Sequence, residues 1–316
     1  MPKADSSALF SGRLLFLTGK GGVGKTSVAA AVGKLAASQG RRTLVVEVDS
    51  QHPTLPGVFG KSVGYEPVEV DRNLWGANIV WANALEDWVE SIVSMRRIVR
   101  LIMKNRVVSL FLQVTPGARD LVMLWRIGQL CNHYDLVVVD MPASGNAVAM
   151  LTVPHTAERL FPTGPIRRCA EEILALYARK DSSLALVAIP EEMVVNETLE
   201  TFHKLRRDVR GLQIGALLLN RASMPSYTEA ERQLLGKLEA LHPAGVAAEV
   251  IGAGRWEEAL ERATGEALSR LAPVERPILA LPSLPRNEGP KRVVAQICAA
   301  LARVASSSVT FRGGVS

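Results

Sequence analysis

Residues 19–27 read GKGGVGKTS, and this run meets the phosphate-binding loop pattern G-x-x-x-x-G-K-[ST] at every specified position. Gly19 and Gly24 are the two glycines, Lys25 is the lysine and Thr26 the hydroxyl. The pattern constrains the fold because it does its chemistry only between a strand and a helix. A tight turn brings backbone N–H groups onto a polyphosphate, and the helix N-terminus adds partial positive charge. The flanks comply. Residues 14–18 are a short apolar run, and residues 27–38 (SVAAAVGKLAAS) are Ala-rich and helical, stopped by Gly40. The backbone from Gly19 through Lys20, Gly21, Gly22, Val23, Gly24, Lys25 and Thr26 to Ser27 is expected to cradle ATP. Lys25 reaches the β- and γ-phosphates, and Thr26 is a ligand for Mg²⁺.

The other strand candidates are residues 43–48, 136–139, 184–189, 214–219 and 277–281, with a further one near 78–81. The main runs are short and apolar on both faces, as in a parallel sheet covered by helices. Helical patterns at 197–208, 228–241, 256–270 and 291–304 alternate with them. The expected fold is α/β, a doubly wound and mostly parallel sheet flanked by helices. One ATPase domain is expected over 12–305, with tails at 1–11 and 306–316. Residues 84–131 form a helix-compatible block broken at Thr115-Pro116-Gly117. Within it, Ile92, Met95, Val99, Ile102 and Met103 gather on or near one face, with Arg96, Arg97, Arg100 and Lys104 mostly elsewhere. The block either covers the sheet, packs across a dimer, or offers an apolar groove to a client helix.

No apolar run approaches the roughly 18 residues of a membrane span, and the first residues lack a signal peptide's apolar stretch. A cytoplasmic protein is expected, peripheral membrane contact aside. The net charge of +6 is dispersed along the chain, so no nucleic-acid partner is expected. Cys131, Cys169 and Cys298 lie far apart with no C-x-x-C pair, and they read as packing thiols rather than a metal or disulfide site.

Residues 134–140, YDLVVVD, are an apolar strand ending in an acid. Asp140 is expected to sit beside the loop and order the water shell of Mg²⁺. Residues 46–52 read VEVDSQH and place Asp49 at a strand's C-terminal end, where α/β sheets bind ligands. Asp49 is expected to orient or deprotonate the attacking water, and it also stands near the metal. Glu47 points to the opposite face from Val46 and Val48 and reads as structural, as does His52.

The KGGVGKT form, with its second lysine Lys20, resembles the deviant Walker A loop of the class that includes ParA, MinD, the nitrogenase iron protein and ArsA. Residues 140–146, DMPASGN, resemble the switch II segment D-T-A-P-T-G-H of the ArsA and tail-anchored-protein-targeting ATPases. The proline is displaced by one place, and Asn146 stands where that family has His. Asp49-Ser50-Gln51-His52 is similar to its switch I, and Asn220-Arg221 and Pro282 to its adenine-side elements. The resemblance implies an ATP-hydrolysing homodimer in which Lys20 of one subunit crosses to the phosphates of the other. Lys20, Lys25 and Asp49 are then the catalytic set, and a protein client or partner is expected. The alternatives are the ATPase subunit of an anion or metalloid exporter, and a positioning ATPase like MinD or ParA.

Overall fold

The computed structural model describes residues 12–92, 117–223, 225–242, 244–284 and 289–306. Among these, the strands are β1 (Leu14–Gly19), β2 (Thr43–Val48), β3 (Val68–Asp71), β4 (Leu74–Ile79), β5 (Leu136–Ala143), β6 (Ser182–Ala188), β7 (Gln213–Ala222) and β8 (Ile278–Pro282). They form one sheet in the order β3-β4-β2-β5-β1-β6-β7-β8. Every pairing is parallel except β3 with β4 at the edge. The helices are α1 (Lys25–Ser38), α2 (Leu55–Phe59), α3 (Trp81–Ile92), α4 (Ala118–Leu130), α5 (Ser144–Leu160), α6 (Pro165–Tyr177), α7 (Glu192–Asp208), α8 (Glu229–Ala240), α9 (Val246–Leu271) and α10 (Pro290–Ser306).

The doubly wound sheet follows from its strands. Leu14, Leu15, Phe16 and Leu17 of β1 are buried on both faces. Burying each such side chain is worth roughly 1.5–3 kcal/mol, which fixes β1 at the centre. The small side chains of α1, among them Ala29, Ala30 and Ala31, are buried, and this helix packs on the β2/β5 side of the sheet and against α10. The chain leaves β1 for β2, and β5 later inserts between them. The C-terminal ends of β1, β2 and β5 therefore meet at a reversal of strand order, where such sheets bind ligands.

Three local expectations shift. The strand expected at 78–81 is β4, ending at Ile79, because Trp81 already opens α3. The pattern VEVD gave no signal for β3; only Val70 of it is buried, as suits an edge strand. Helix α9 starts at Val246 rather than 256. Gly252 and Gly254 dilute the helical pattern there, but Gly254 lets Leu235 of α8 pack closely, 3.0 Å from where a Cβ would sit. The amphipathic run 92–103 lies, apart from Ile92, outside the described residues, as do both expected tails apart from Ser306.

Candidate active site

The loop is shaped by close approaches. A Cβ on Gly19 would lie 2.1 Å from the carbonyl oxygen of Val187 in β6, so no larger residue fits. Gly24 has φ +90°, and a Cβ there would meet Asn220 Nδ2 at 2.6 Å. Asn220, buried at the end of β7, donates to the Val23 carbonyl at 2.8 Å. Arg221 donates to the Gly22 carbonyl at 3.0 Å. These two side chains brace the loop. The adenine contact expected of Asn220 would have to use its carbonyl oxygen and second amide N–H. Pro282 pairs with Ala222 on the same rim, where Ser283 donates to the Ala222 carbonyl at 2.9 Å.

Lys25, Thr26, Asp49 and Asp140 line one polar cavity of about 580 Å³ at the strand ends. Thr26 Oγ1 donates to Asp140 Oδ2. Asp140 Oδ1 is buried and finds no hydrogen-bond partner among the described residues. Burial pushes the Asp140 carboxyl up to about 6, against the pull of the Thr26 hydrogen bond and the Lys25 ammonium. Lys25 Nζ donates to the Lys20 carbonyl at 3.2 Å. Its pKa is lowered by burial, with Asp140 and Glu197 opposing. An orphaned carboxylate oxygen beside a hydroxyl, in a cavity that also holds a lysine, fits a hard divalent cation such as Mg²⁺. That ion keeps most of its waters and takes only one or two protein oxygens. The described residues hold no cluster of three or more His, Cys, Asp or Glu that could ligate a metal directly.

Switch I is held by its own strand. Glu47 is buried and accepts from Thr54 Oγ1 at 2.7 Å, from Thr54 N at 2.8 Å and from Leu55 N at 3.0 Å. Glu47, expected to be structural, makes these bonds and also lines the cavity. Asp49 follows with φ +47°, a conformation that Asp tolerates better than most residues, and its N–H bonds the Ile79 carbonyl at 2.8 Å. Asn78 donates to the Ser50 carbonyl at 2.9 Å. His52 is exposed outside the cavity lining. On the other wall, Thr18 Oγ1 donates to the Pro142 carbonyl at 3.0 Å, tying β1 to switch II. Asn146 of α5 faces the cavity.

Lys20 is the exception among the expected catalytic residues. Its side chain does not line this cavity but a separate one, and Nζ lies 3.1 Å from Glu197 Oε2 on α7. Glu197 also accepts a hydrogen bond from Ser144 Oγ, the first residue of α5. That hydrogen bond, with Lys20 beside it, holds the Glu197 carboxyl below the usual carboxylate range. Sequence reasoning missed Glu197, because nothing in the pattern ties it to a lysine 177 positions earlier. It also missed Asp120, which enters the cavity from the first turn of α4. Burial and the charge of Asp49 push the Asp120 carboxyl up. An acid in a helix's first turn reads as a dipole partner, and no signal marks it as a site residue.

Asp120 and Ala149 also line a second, apolar groove of about 610 Å³ between α3, α4, α5 and α6. Trp81, Leu85, Trp88, Val148 and Ile166 contribute to it, with the exposed Leu160 and Phe161 at its rim. Cys131 and Cys169 are buried, and burial pushes each thiol up to about 12.

With a phosphate-binding loop, an adjoining strand-end acid and both switches at one cavity, comparison with known proteins decides the family. Residues 12–172 match the family of anion-transporting ATPases. The chain belongs to that family. It is an ATPase, hydrolysing ATP. ATPase BagA of Mycobacterium tuberculosis is 26% identical over 241 residues, covering 71% of this ATPase and 69% of BagA. The uncharacterized protein SCO2128 of Streptomyces coelicolor is 34% identical over 193 residues, covering 57% and 46%. A Prosthecochloris vibrioformis relative, whose assigned name is that of an arsenical pump-driving ATPase, is 32% identical over 204 residues, covering 63% and 50%. The ATPase thus spans about half the length of these last two. No helix among its described residues is long and apolar enough to cross a membrane.

Proposed function

We propose that this ATPase is a Mg²⁺-dependent, nucleotide-gated homodimer, one unit over residues 12–305, acting in the cytoplasm on a protein client or partner. The observation that carries the dimer is Lys20. A lysine inside a phosphate-binding loop that stays out of its own subunit's phosphate cavity is available to a second one. Two polyanions brought face to face repel, and a crossing ammonium at each relieves that repulsion. Within one subunit the roles divide among few groups. The backbone of Gly19–Ser27 and Lys25 hold the phosphates. Thr26 and Asp140 would hold Mg²⁺, which neutralises charge on the transferring phosphoryl group. Asp49 orients the attacking water and accepts its proton.

The client reading is supported by the apolar groove beside switch II. Val148 of α5 lines the groove while Asn146 of the same helix faces the nucleotide cavity. A shift of α5 on loss of the γ-phosphate would therefore reach both. The exporter reading draws on the name of the Prosthecochloris relative, but Cys131 and Cys169 are buried, Cys298 is half-buried, and the described residues bring no three His, Cys, Asp or Glu together as a metal-binding group. Static light scattering with no nucleotide, ATP and ADP–aluminium fluoride tests the dimer. Wild type should pair in the last two, and Lys20→Ala should pair only at much higher protein concentration. A wild type that is monomeric in every state overturns the proposal. Several-fold stimulation of hydrolysis by arsenite would favour the exporter.

A further inference from the structure

Glu197 joins three parts of the molecule through one carboxylate. One oxygen lies 3.1 Å from the Lys20 ammonium in the phosphate-binding loop. The other accepts from Ser144, the buried residue at which β5 gives way to α5 and switch II continues. The third part is α7 itself, whose Met193, Asn196, Glu200 and Lys204 wall a cavity of about 590 Å³ around this contact. The Lys20 and Glu197 side chains are 38% and 36% exposed. An ion pair that open to water is worth only about 0–1 kcal/mol, so it holds without locking. A nucleotide polyphosphate is a far stronger competitor for the same ammonium.

We infer that Glu197 is a positioning residue of the hydrolytic cycle: it parks Lys20 within its own subunit until the lysine is drawn to phosphate, and through Ser144 it couples that step to switch II. The inference rests on the dimer reading above, and it adds what Lys20 does before pairing. Closure then exchanges one anionic partner for another. Each subunit gives up a Lys20–Glu197 pair, so the exchange sets how much nucleotide and protein are needed to close. The Ser144 tether links that step to switch II. When Lys20 leaves, Glu197 keeps its charge-assisted hydrogen bond from Ser144 but no longer ties α7 to the phosphate-binding loop.

Two variants separate the two contacts. Glu197→Gln keeps an acceptor for Ser144 but removes the charge that holds Lys20. Glu197→Ala removes both. ATPase rate and light scattering are measured against protein concentration at saturating MgATP, with thermal melts to check the fold. For Glu197→Gln the concentration for half-maximal pairing should fall about two- to thirty-fold, since two exposed pairs are released per dimer. The effect should vanish in a Lys20→Ala background, and Glu197→Asp should restore wild-type behaviour. Glu197→Ala should pair as readily as Glu197→Gln yet turn over more slowly, having lost the switch II tether. If wild type pairs with ATP but Glu197→Gln shows the same concentration dependence, this inference fails and the dimer stands. If wild type never pairs, the dimer fails first. A Glu197→Gln effect that persists without Lys20 would also overturn the parking role.

Discussion

The polar cavity and the apolar groove lie back to back, sharing Asp120 and Ala149, and they are built in different ways. The cavity collects residues from the C-terminal ends of β2 and β5 and from the start of α1, which the phosphate-binding loop joins to β1, and the three strands are buried on both faces. The groove collects side chains from helix faces in α3, α4, α5 and α6. The first arrangement holds a carboxylate with an unsatisfied buried oxygen, which is expensive unless a cation completes it. The second holds exposed apolar side chains such as Leu160, which is expensive only in water. Among the described residues each is therefore incomplete in a different sense: one lacks charge, the other lacks cover.

If that contrast is right, charge changes should act on the cavity alone. The largest effect is expected for Lys25→Ala, which removes the one lysine that lines the polar cavity among the described residues. ATP affinity measured by calorimetry should fall beyond detection, and turnover with it, with groove variants unaffected. Retained affinity would mean the cavity is not the phosphate site.

Asp140→Asn probes the unsatisfied oxygen directly. Burial raises the Asp140 carboxyl to about 6, above its unfolded value, so ionising it opposes folding. Stability then falls as pH rises from about 4 to about 6 and stays lowered above that range, by about 3 kcal/mol at most. The nucleotide-free Asn variant should melt higher than wild type at pH 8, and the gap should close as pH falls through that window. Mg²⁺-dependent turnover should be lost at every pH. A variant less stable than wild type at pH 8 would show that Asp140 is already satisfied.

The smaller effect belongs to the groove. Leu160→Lys with Phe161→Ser changes exposed residues, so stability should move by no more than about 0.5 kcal/mol and basal hydrolysis by less than about twofold. Binding of an amphipathic helical peptide should weaken about tenfold, one apolar anchor's worth. A large loss of basal hydrolysis would mean that the two regions are one site.

The same contrast explains what was legible in the sequence. The strand-end residues announce themselves because each follows a buried run: the loop from Gly19 after 14–18, Asp49 after 43–48, Asp140 after 136–139. A parallel sheet brings such ends together whatever lies between, so the fold and Lys25, Thr26, Asp49 and Asp140 could be placed together from the chain alone. A groove was only one of three options for the 84–131 block, because helix faces signal burial without naming a partner. Asp120 was hidden by its place in a helix's first turn. Asn220 was recognised at its strand end, but its bond to the Val23 carbonyl depends on the loop's path, which the pattern does not specify. Glu197 was invisible because its partners, Lys20 and Ser144, meet it only once α7 packs beside the loop and switch II.

The most direct test of the composite site mixes two inactive chains. Lys20→Ala chains retain Asp49 but have no lysine to lend, and Asp49→Asn chains retain Lys20 but lack the base. In a mixed dimer, the site on the Lys20→Ala chain receives Lys20 from the partner and keeps its own Asp49. Turnover of the mixture, measured at saturating MgATP and high protein concentration, should rise well above either variant, to at most about a quarter of wild type, the limit for random pairing of equal amounts. A mixture no more active than the average of its two components would contradict a lysine that acts across a two-fold interface.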